Sequence, residues 1–348
     1  MARMTSPRRR LVAATVVALA LAAGVLTSSS GAAAKLPARL SDKEFWQLST
    51  DSSETDGYFR SDNLTSNELG FLNVVPELVR RTRPGEVYLG VGPEQNYTYM
   101  AATRPAMAII FDIRRGNLLL QLMYKAIFEL SATRAEFVST LFSRPRPDQL
   151  TADSSVTDLF RAFAPVPADE ILYERHLRTI EDRLLKTHGI PLSAPELNGL
   201  RNIYRAFFDR GYALRYSPTY SDLMTATDQG GAYRSYLASE AAYNTVRDLE
   251  TANLVVPVVG DFGGPKAIRA IAAYLKAHDA TVGAFYLSNV EQYLAQDGKM
   301  AAFCRSVAAL PLDATSTFIR STSGRGNGFG AGFVSSLGAI AAETRDCR

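Results

Sequence analysis

The chain has 348 residues, of which 47% are hydrophobic and 21% charged, with 38 Lys and Arg against 35 Asp and Glu. Four of the arginines and none of the acids lie in residues 1–34, so the rest of the chain carries 34 basic and 35 acidic residues. This near-neutral balance, without a sustained basic stripe, argues against nucleic acid as a partner. Two cysteines and three scattered histidines do not make a zinc constellation. We therefore expect no metal site.

Residues 1–34 have the pattern of a secretory signal peptide. An arginine-rich start precedes the apolar run 11–27, which is too short for a comfortable membrane span, and Ala32–Ala34 fits a cleavage site. We predict an exported protein, periplasmic or secreted, with no stable membrane span after signal cleavage. The general and twin-arginine export routes both stay open, and an uncleaved tether is the alternative. In an oxidising compartment Cys304 and Cys347 could form a disulfide, and two free thiols are the alternative.

The polar stretch 49–68 precedes the first predicted strand and is dense in side-chain hydrogen-bond acceptors. One interpretation is a loop folded over a ligand site. The other is a surface segment in which Ser66 or Asn67 caps the next helix.

Residues 87–117 predict a strand, a glycine turn, a helix and a second strand that ends at an acid. Gly90 and Gly92 form the turn, and Pro93 can open the helix because the first helical position needs no amide donor. Asp112 follows Gly92 by 20 residues, the spacing at which a carboxylate on the second strand meets a ribose above the first turn. The stretch therefore predicts a nucleoside-binding half-fold.

Residues 144–252 interrupt the alternation of strands and helices. Helices are predicted at 168–188, 193–210 and 239–251, and Ser193 with Glu196 has the spacing of a capping box. We interpret the block as a helical insertion or lid, the kind of element that carries acceptor specificity. A helical layer over one sheet face is the alternative.

The alternation resumes with strands predicted at 254–259, 281–287 and 316–320. A final helix is predicted over 333–344, with no antiparallel strand pair after residue 320. The fold class is therefore α/β, a doubly wound, mostly parallel Rossmann-like sheet with a helical insertion. The predicted organisation is a signal peptide (1–34), an N-terminal segment and first half of the Rossmann-like domain (35–143), a helical insertion or lid (144–252), and the second half with a C-terminal tail (253–348).

Polar residues follow the predicted strands: Gly90, Gly92, Asp112, Asp261, Ser288 and Asn289. Ligands of open parallel sheets bind outside the carboxyl ends of the strands, so this pattern predicts a cleft for a small-molecule ligand. Each residue also has a local alternative. The glycines could make a tight turn, and Asp112, Asp261 and Asn289 could cap helices.

The glycine turn distinguishes between cofactors. Gln95 stands where dinucleotide-binding turns carry a third small residue, and Glu94 adds negative charge beside the turn. A pyrophosphate is therefore disfavoured, and no P-loop lysine follows. A cationic or zwitterionic nucleoside such as S-adenosylmethionine fits this turn better.

Several of these segments resemble a known family. Leu89-Gly90-Val91-Gly92, Asp112, Gly260-Asp261-Phe262 and Ser288-Asn289-Val290-Glu291 resemble the strand-end motifs of class I S-adenosylmethionine-dependent methyltransferases. The segments YLGVGPEQN, VPVVGDFGGPKAIRAI and FYLSNVEQYL resemble, more narrowly, an uncharacterised group of exported bacterial proteins with that fold. The wider resemblance covers residues 85–142 and 253–320.

The resemblance implies a role for each motif. Gly90 and Gly92 would face the methionine part of S-adenosylmethionine, and Asp112 would hold the ribose hydroxyls. Asp261 and Phe262 would flank the adenine, and Ser288 and Asn289 would line the floor near the transferred methyl group.

Two functions follow as hypotheses. The first is an exported methyltransferase-like protein with a nucleoside cleft of the S-adenosylmethionine type. The second is a non-catalytic small-ligand-binding protein that retains the fold. Tyr286, Asn289 and Glu291 are the nearest candidates for a general base, and none is assigned as catalytic. Acceptor and oligomeric state cannot be read from the sequence.

Overall fold

A six-stranded sheet lies at the centre of the residues that the structure, a computed structural model, describes: 35–214, 218–323 and 333–347. The predicted signal peptide lies outside these residues. The strand order is β3-β2-β1-β4-β5-β6, in which the first five strands are parallel and β6 is antiparallel to β5. The strands are β1 Val87–Val91, β2 Met107–Asp112, β3 Val255–Val259, β4 Val282–Ser288, β5 Thr317–Ser323 and β6 Phe333–Ala339.

Helices cover the sheet, and a short 3₁₀ helix (Leu69–Val74) precedes the second of them. The α-helices are α1 Asp42–Ser52, α2 Val75–Arg81, α3 Gln95–Thr103, α4 Arg115–Leu130, α5 Arg134–Phe142, α6 Val156–Phe163, α7 Glu170–Asp182, α8 Ala194–Arg210, α9 Tyr220–Thr225, α10 Glu240–Thr251, α11 Ala267–Ala277, α12 Val290–Gln296, α13 Met300–Ala308 and α14 Ile340–Glu343. Among the described residues, no helix is long and apolar enough to cross a membrane.

The predicted strand–turn–helix–strand unit is confirmed. β1 is short and largely buried, α3 follows the glycine turn, and Arg104 ends that helix in the left-handed conformation with φ 51°. Every residue of β2 is buried, as expected for an inner strand of a parallel sheet. Asp112 is the last residue of β2, so its carboxylate lies at the edge where ligands of such folds bind.

The helices between residues 144 and 252 pack mainly against α4. Helices α7, α8 and α10 contact it, and α10 also contacts α3. Almost every residue of α4 from Asn117 to Phe128 is consequently buried, including the polar Gln121 and Lys125. The capping box of Ser193 with Glu196 is present at the start of α8, as the spacing predicts.

The predicted C-terminal helix is wrong over most of its length. Residues 333–339 instead form β6, which pairs in antiparallel register with all of β5, and only Ile340–Glu343 is helical. The expectation of no antiparallel strand after residue 320 is wrong for the same reason. The open edge of β5 has backbone donors and acceptors, and a neighbouring strand provides their hydrogen-bond partners. The exposure of the side chains alternates along β6, which fits a strand better than a helix.

Two side-chain contacts join distant parts of the chain. His188 is only 9% exposed at its side chain. Its two ring nitrogens lie 2.6 Å from Asp42 Oδ1 and 2.7 Å from Glu129 Oε2, so it joins α1 to α4. The disulfide interpretation of the cysteines is confirmed, since Cys304 and Cys347 are bonded with their Cα atoms 5.3 Å apart.

Candidate functional site

A cavity of about 210 Å³ opens at the carboxyl edge of the sheet, above the ends of β1, β2, β3 and β4. This volume is many times the ~10–15 Å³ that a single enclosed water needs, so the cavity has room for a small organic ligand. The lining includes six of the seven residues proposed from the sequence: Gly92, Asp112, Asp261, Phe262, Ser288 and Asn289.

The two glycines of the turn have different roles. Gly92 has φ 76°, and a Cβ atom there would meet nothing within 4 Å, so the backbone conformation is what requires glycine. Gly90 does not line the cavity. A Cβ atom on Gly90 would collide with Asn96 Oδ1 and the ring of Tyr88, so this glycine lets α3 approach β1.

Asp112 is 7% exposed and already paired with a neighbouring side chain. Arg114 donates through Nε to Asp112 Oδ1 at 2.9 Å and through Nη2 to Oδ2 at 2.8 Å, and its backbone N–H also reaches Oδ1 at 2.9 Å. A carboxylate offers about four acceptor positions, two on each oxygen. These bonds fill Oδ1 and leave one position on Oδ2, so Asp112 can accept one further hydrogen bond while Arg114 stays in place.

Asp261 lies in a similar ion pair on the loop after β3. Lys299 Nζ is 2.6 Å from Asp261 Oδ2, and the backbone N–H of Gly263 is 2.9 Å from Oδ1. Asp261 therefore does not cap α11. Phe262 lies beside it, largely buried, with its ring 5.9 Å from that of Phe285.

The carboxylate that caps α11 comes from far away in the sequence. Glu54 accepts backbone hydrogen bonds from Asp261 at 3.0 Å, Lys266 at 2.8 Å and Ala267 at 3.0 Å. A negative charge at this helix N-terminus is favourable, because the first amides of a helix have no intrahelical acceptor.

Residues 54–68, which we call the N-terminal strap, continue from Glu54 across the strand ends. Asp56 accepts from the backbone N–H of Arg115 at 2.6 Å, and the backbone O of Ser61 accepts from Arg114 at 2.7 Å. The ring centroids of Phe59 and Tyr293 lie 5.1 Å apart across the cavity. The interpretation of the polar stretch as a loop folded over this cleft is confirmed.

Glu94 and Gln95 hold the last part of the strap. The backbone N–H of Ser66 donates to Glu94 Oε1 at 3.0 Å, and Gln95 Nε2 donates to Glu68 Oε2 at 2.9 Å. Gln95, at the position where dinucleotide-binding turns carry a third small residue, therefore binds the strap.

Glu68 forms the floor of the cavity towards β4 and β5 and is 1% exposed. The hydroxyls of Ser288 and Ser321 both donate to it in short hydrogen bonds. Ser288 has φ 51°, a left-handed conformation that is uncommon for residues other than glycine. Sequence reasoning missed Glu68, Glu54 and Arg114. The sequence does contain a signal for Arg114, because a basic residue so soon after Asp112 can form an ion pair with its carboxylate.

The three base candidates have unfavourable surroundings. Glu291 is paired with Arg320, whose Nη2 lies 3.1 Å from its Oε1, and it does not line the cavity. Burial, followed by the charge of Glu68, raises the pKa of the Tyr286 hydroxyl well above its usual value. Asn289 is an amide and cannot take a proton at neutral pH.

The charge of the cavity is formally negative. Its lining carries four carboxylates (Glu68, Asp112, Asp261 and Asp297) and two basic side chains (Arg114 and Lys299). Such a site favours a cationic ligand over a phosphate. No group of three His, Cys, Asp or Glu side chains among the described residues could hold a metal ion.

A second, larger groove lies on the other side of the strap. It has a volume of about 760 Å³ and is lined by the strap, the first turn of α4 and the face of α8 that carries Asn202 and Arg210. Arg114 lines both spaces, as do Tyr58, Phe59, Asn63 and Thr65 of the strap.

Comparison with known protein families finds a match. A family described as Domain of unknown function (DUF7790) matches residues 64–153 and 201–338, about two thirds of the chain. The matched parts contain the glycine turn, Asp112, Asp261, Ser288, strands β1 to β5 and all of β6 except Ala339. No curated protein matches the chain.

Proposed function

The chain belongs to the DUF7790 family, and we propose that it is an exported methyltransferase-like protein whose cleft binds S-adenosylmethionine or a nucleoside of that type. The observation that carries the proposal is the convergence of Gly92, Asp112, Asp261 and Ser288, from four different strand ends, on one negatively charged cavity. This is the region where α/β sheets bind nucleosides.

The residues present fit such a ligand. Asp112 would accept a hydrogen bond from one ribose hydroxyl through the open position on Oδ2, while Arg114 keeps the carboxylate in place. Asp261 and Phe262 would flank the adenine, and the open space beside Gly92 would accommodate the methionine part. Ser288 and Asn289 would lie beside the reacting end. The net negative charge of the lining favours a sulfonium ion.

When bound, S-adenosylmethionine supplies an electrophilic methyl group. The chain's own contribution would be orientation and exclusion of water, which are the main requirements of methyl transfer. The strap provides both, since Phe59 contacts Tyr293 across the cleft and Arg60 donates to the Tyr293 hydroxyl at 2.9 Å.

A non-catalytic binding protein is the second candidate. It is favoured by the absence of a free base among the three candidate residues, because Glu291 is paired and the Tyr286 phenol stays protonated. Predicted export also favours it, since S-adenosylmethionine is not normally expected outside the cytoplasm.

Isothermal titration calorimetry with S-adenosylmethionine and S-adenosylhomocysteine tests the proposal. Asp112→Asn should lower the affinity for both ligands about 10- to 150-fold. This loss corresponds to the ~1.5–3 kcal/mol of a hydrogen bond to a charged group. Asp158→Asn, on the exposed first turn of α6, is the matched control and should bind like the wild type. The proposal fails if the wild type binds neither ligand. Equal binding by Asp112→Asn would refute the ribose position, provided that its melting curve matches that of the control.

A further inference from the structure

The two ion pairs of the cleft lie on the same side. Arg114 neutralises Asp112 at the end of β2, and Lys299 neutralises Asp261 after β3. Glu68 lies towards the other side, where it contacts residues at the end of β4 and on β5. On the β2–β3 side Asp112 and Asp261 each have a cationic partner, whereas Glu68 has none among the described residues.

The partners of Glu68 are all neutral. Ser288, Ser321 and Gln95 donate hydrogen bonds to its carboxylate, and among the described residues no Lys, Arg or His forms an ion pair with it. Removing a carboxylate from water costs several kcal/mol, and neutral donors offset this cost less well than a cation does. Glu68 also lines the cavity, so an ammonium group bound in that half of the cavity would lie beside it.

We propose that the β4–β5 half of the cleft is a subsite for a small organic cation, a primary or secondary amine whose ammonium group lies against Glu68. Ser288 and Asn289 supply further hydrogen-bonding groups at the same strand end. An organic cation fits better than a divalent metal, because the described residues place no second and third metal ligand beside this carboxylate. Amine binding does not need the nucleoside. Only the role of the amine as methyl acceptor rests on the proposed function.

The test compares an amine with its uncharged isostere. n-Butylamine and n-butanol are titrated into the purified chain and observed by saturation-transfer difference NMR. Butylamine should bind at least about tenfold more tightly than butanol, the value expected for a hydrogen bond to a charged group. Glu68→Gln should remove this preference. Asp158→Asn, which removes an exposed carboxylate on α6, is the matched control and should keep it. Asp297→Asn removes a different carboxylate of the same cavity and so reports the effect of the general negative potential.

Each outcome decides the point. Equal binding of the amine and the alcohol by the wild type overturns the subsite, even if Glu68→Gln fails to fold. Equal losses in Glu68→Gln and Asp297→Asn also overturn it, because the preference would then arise from the general negative potential. Binding of S-adenosylhomocysteine is measured in parallel. Amine binding without nucleoside binding would keep the subsite and refute the proposed function, and the reverse result would refute the subsite alone.

Discussion

Removing the Glu54 carboxylate should destabilise the chain well beyond the effect of an ordinary surface substitution. Glu54 accepts three backbone hydrogen bonds from the loop after β3 and the start of α11. Loss of a single helix cap costs ~0.5–2 kcal/mol. Three donors lose their acceptor here, but water can reach part of this site, so we expect about 2–3 kcal/mol for Glu54→Ala. Glu54→Gln keeps one acceptor oxygen and should cost about 1 kcal/mol.

Urea unfolding at pH 7, followed by the fluorescence of the single tryptophan, Trp46 on α1, measures these differences. The matched control is Asp51→Ala, an exposed acid on the same helix, which should stay within about 0.5 kcal/mol of the wild type. If Glu54→Ala unfolds like this control, the strap does not stabilise the β3–α11 loop and the structural argument for it is wrong.

Two further predictions concern the disulfide and a buried acid. Replacing Cys304 and Cys347 by Ser removes a disulfide that joins residues 43 positions apart. The free energy of unfolding should fall by up to about 4 kcal/mol. An unchanged Tm in scanning calorimetry would contradict this. Burial raises the pKa of Glu250 from 4.5 to about 8, so the folded chain retains a proton that the unfolded chain releases in this window. The contribution of Glu250 to the stability of the wild type should therefore fall as pH rises from 4.5 to 8. Glu250→Gln removes that loss. The free energy of unfolding of this variant, measured with urea, should therefore increase relative to that of the wild type between pH 5 and pH 8. A difference that stays the same at both pH values would refute the linkage.

The features that the sequence predicts well are local. The turn at Gly92, the helix after it and the acid at the end of β2 depend on neighbours within about 20 residues, and the structure contains all three. The capping box of α8 is local in the same way. Periodicity and turn chemistry suffice for such elements, because their hydrogen bonds form within the segment.

The contacts that complete the site are long-range. Glu54 binds the β3–α11 loop across more than 200 positions, and Glu68 reaches Ser288 and Ser321 across 220 and 253 positions. The sequence around an acidic residue in a polar stretch does not indicate which distant loop that residue contacts. β6 was missed for a related reason, since its strand conformation depends on the open edge of β5 and not on local propensity.

The structure of the chain with S-adenosylhomocysteine is the most direct test of the central claim. The account predicts that one ribose hydroxyl lies within hydrogen-bond distance of Asp112 Oδ2, with the adenine beside Phe262. Binding of the ligand in the larger groove between the strap and α8, or an empty cleft at saturating ligand, would contradict it.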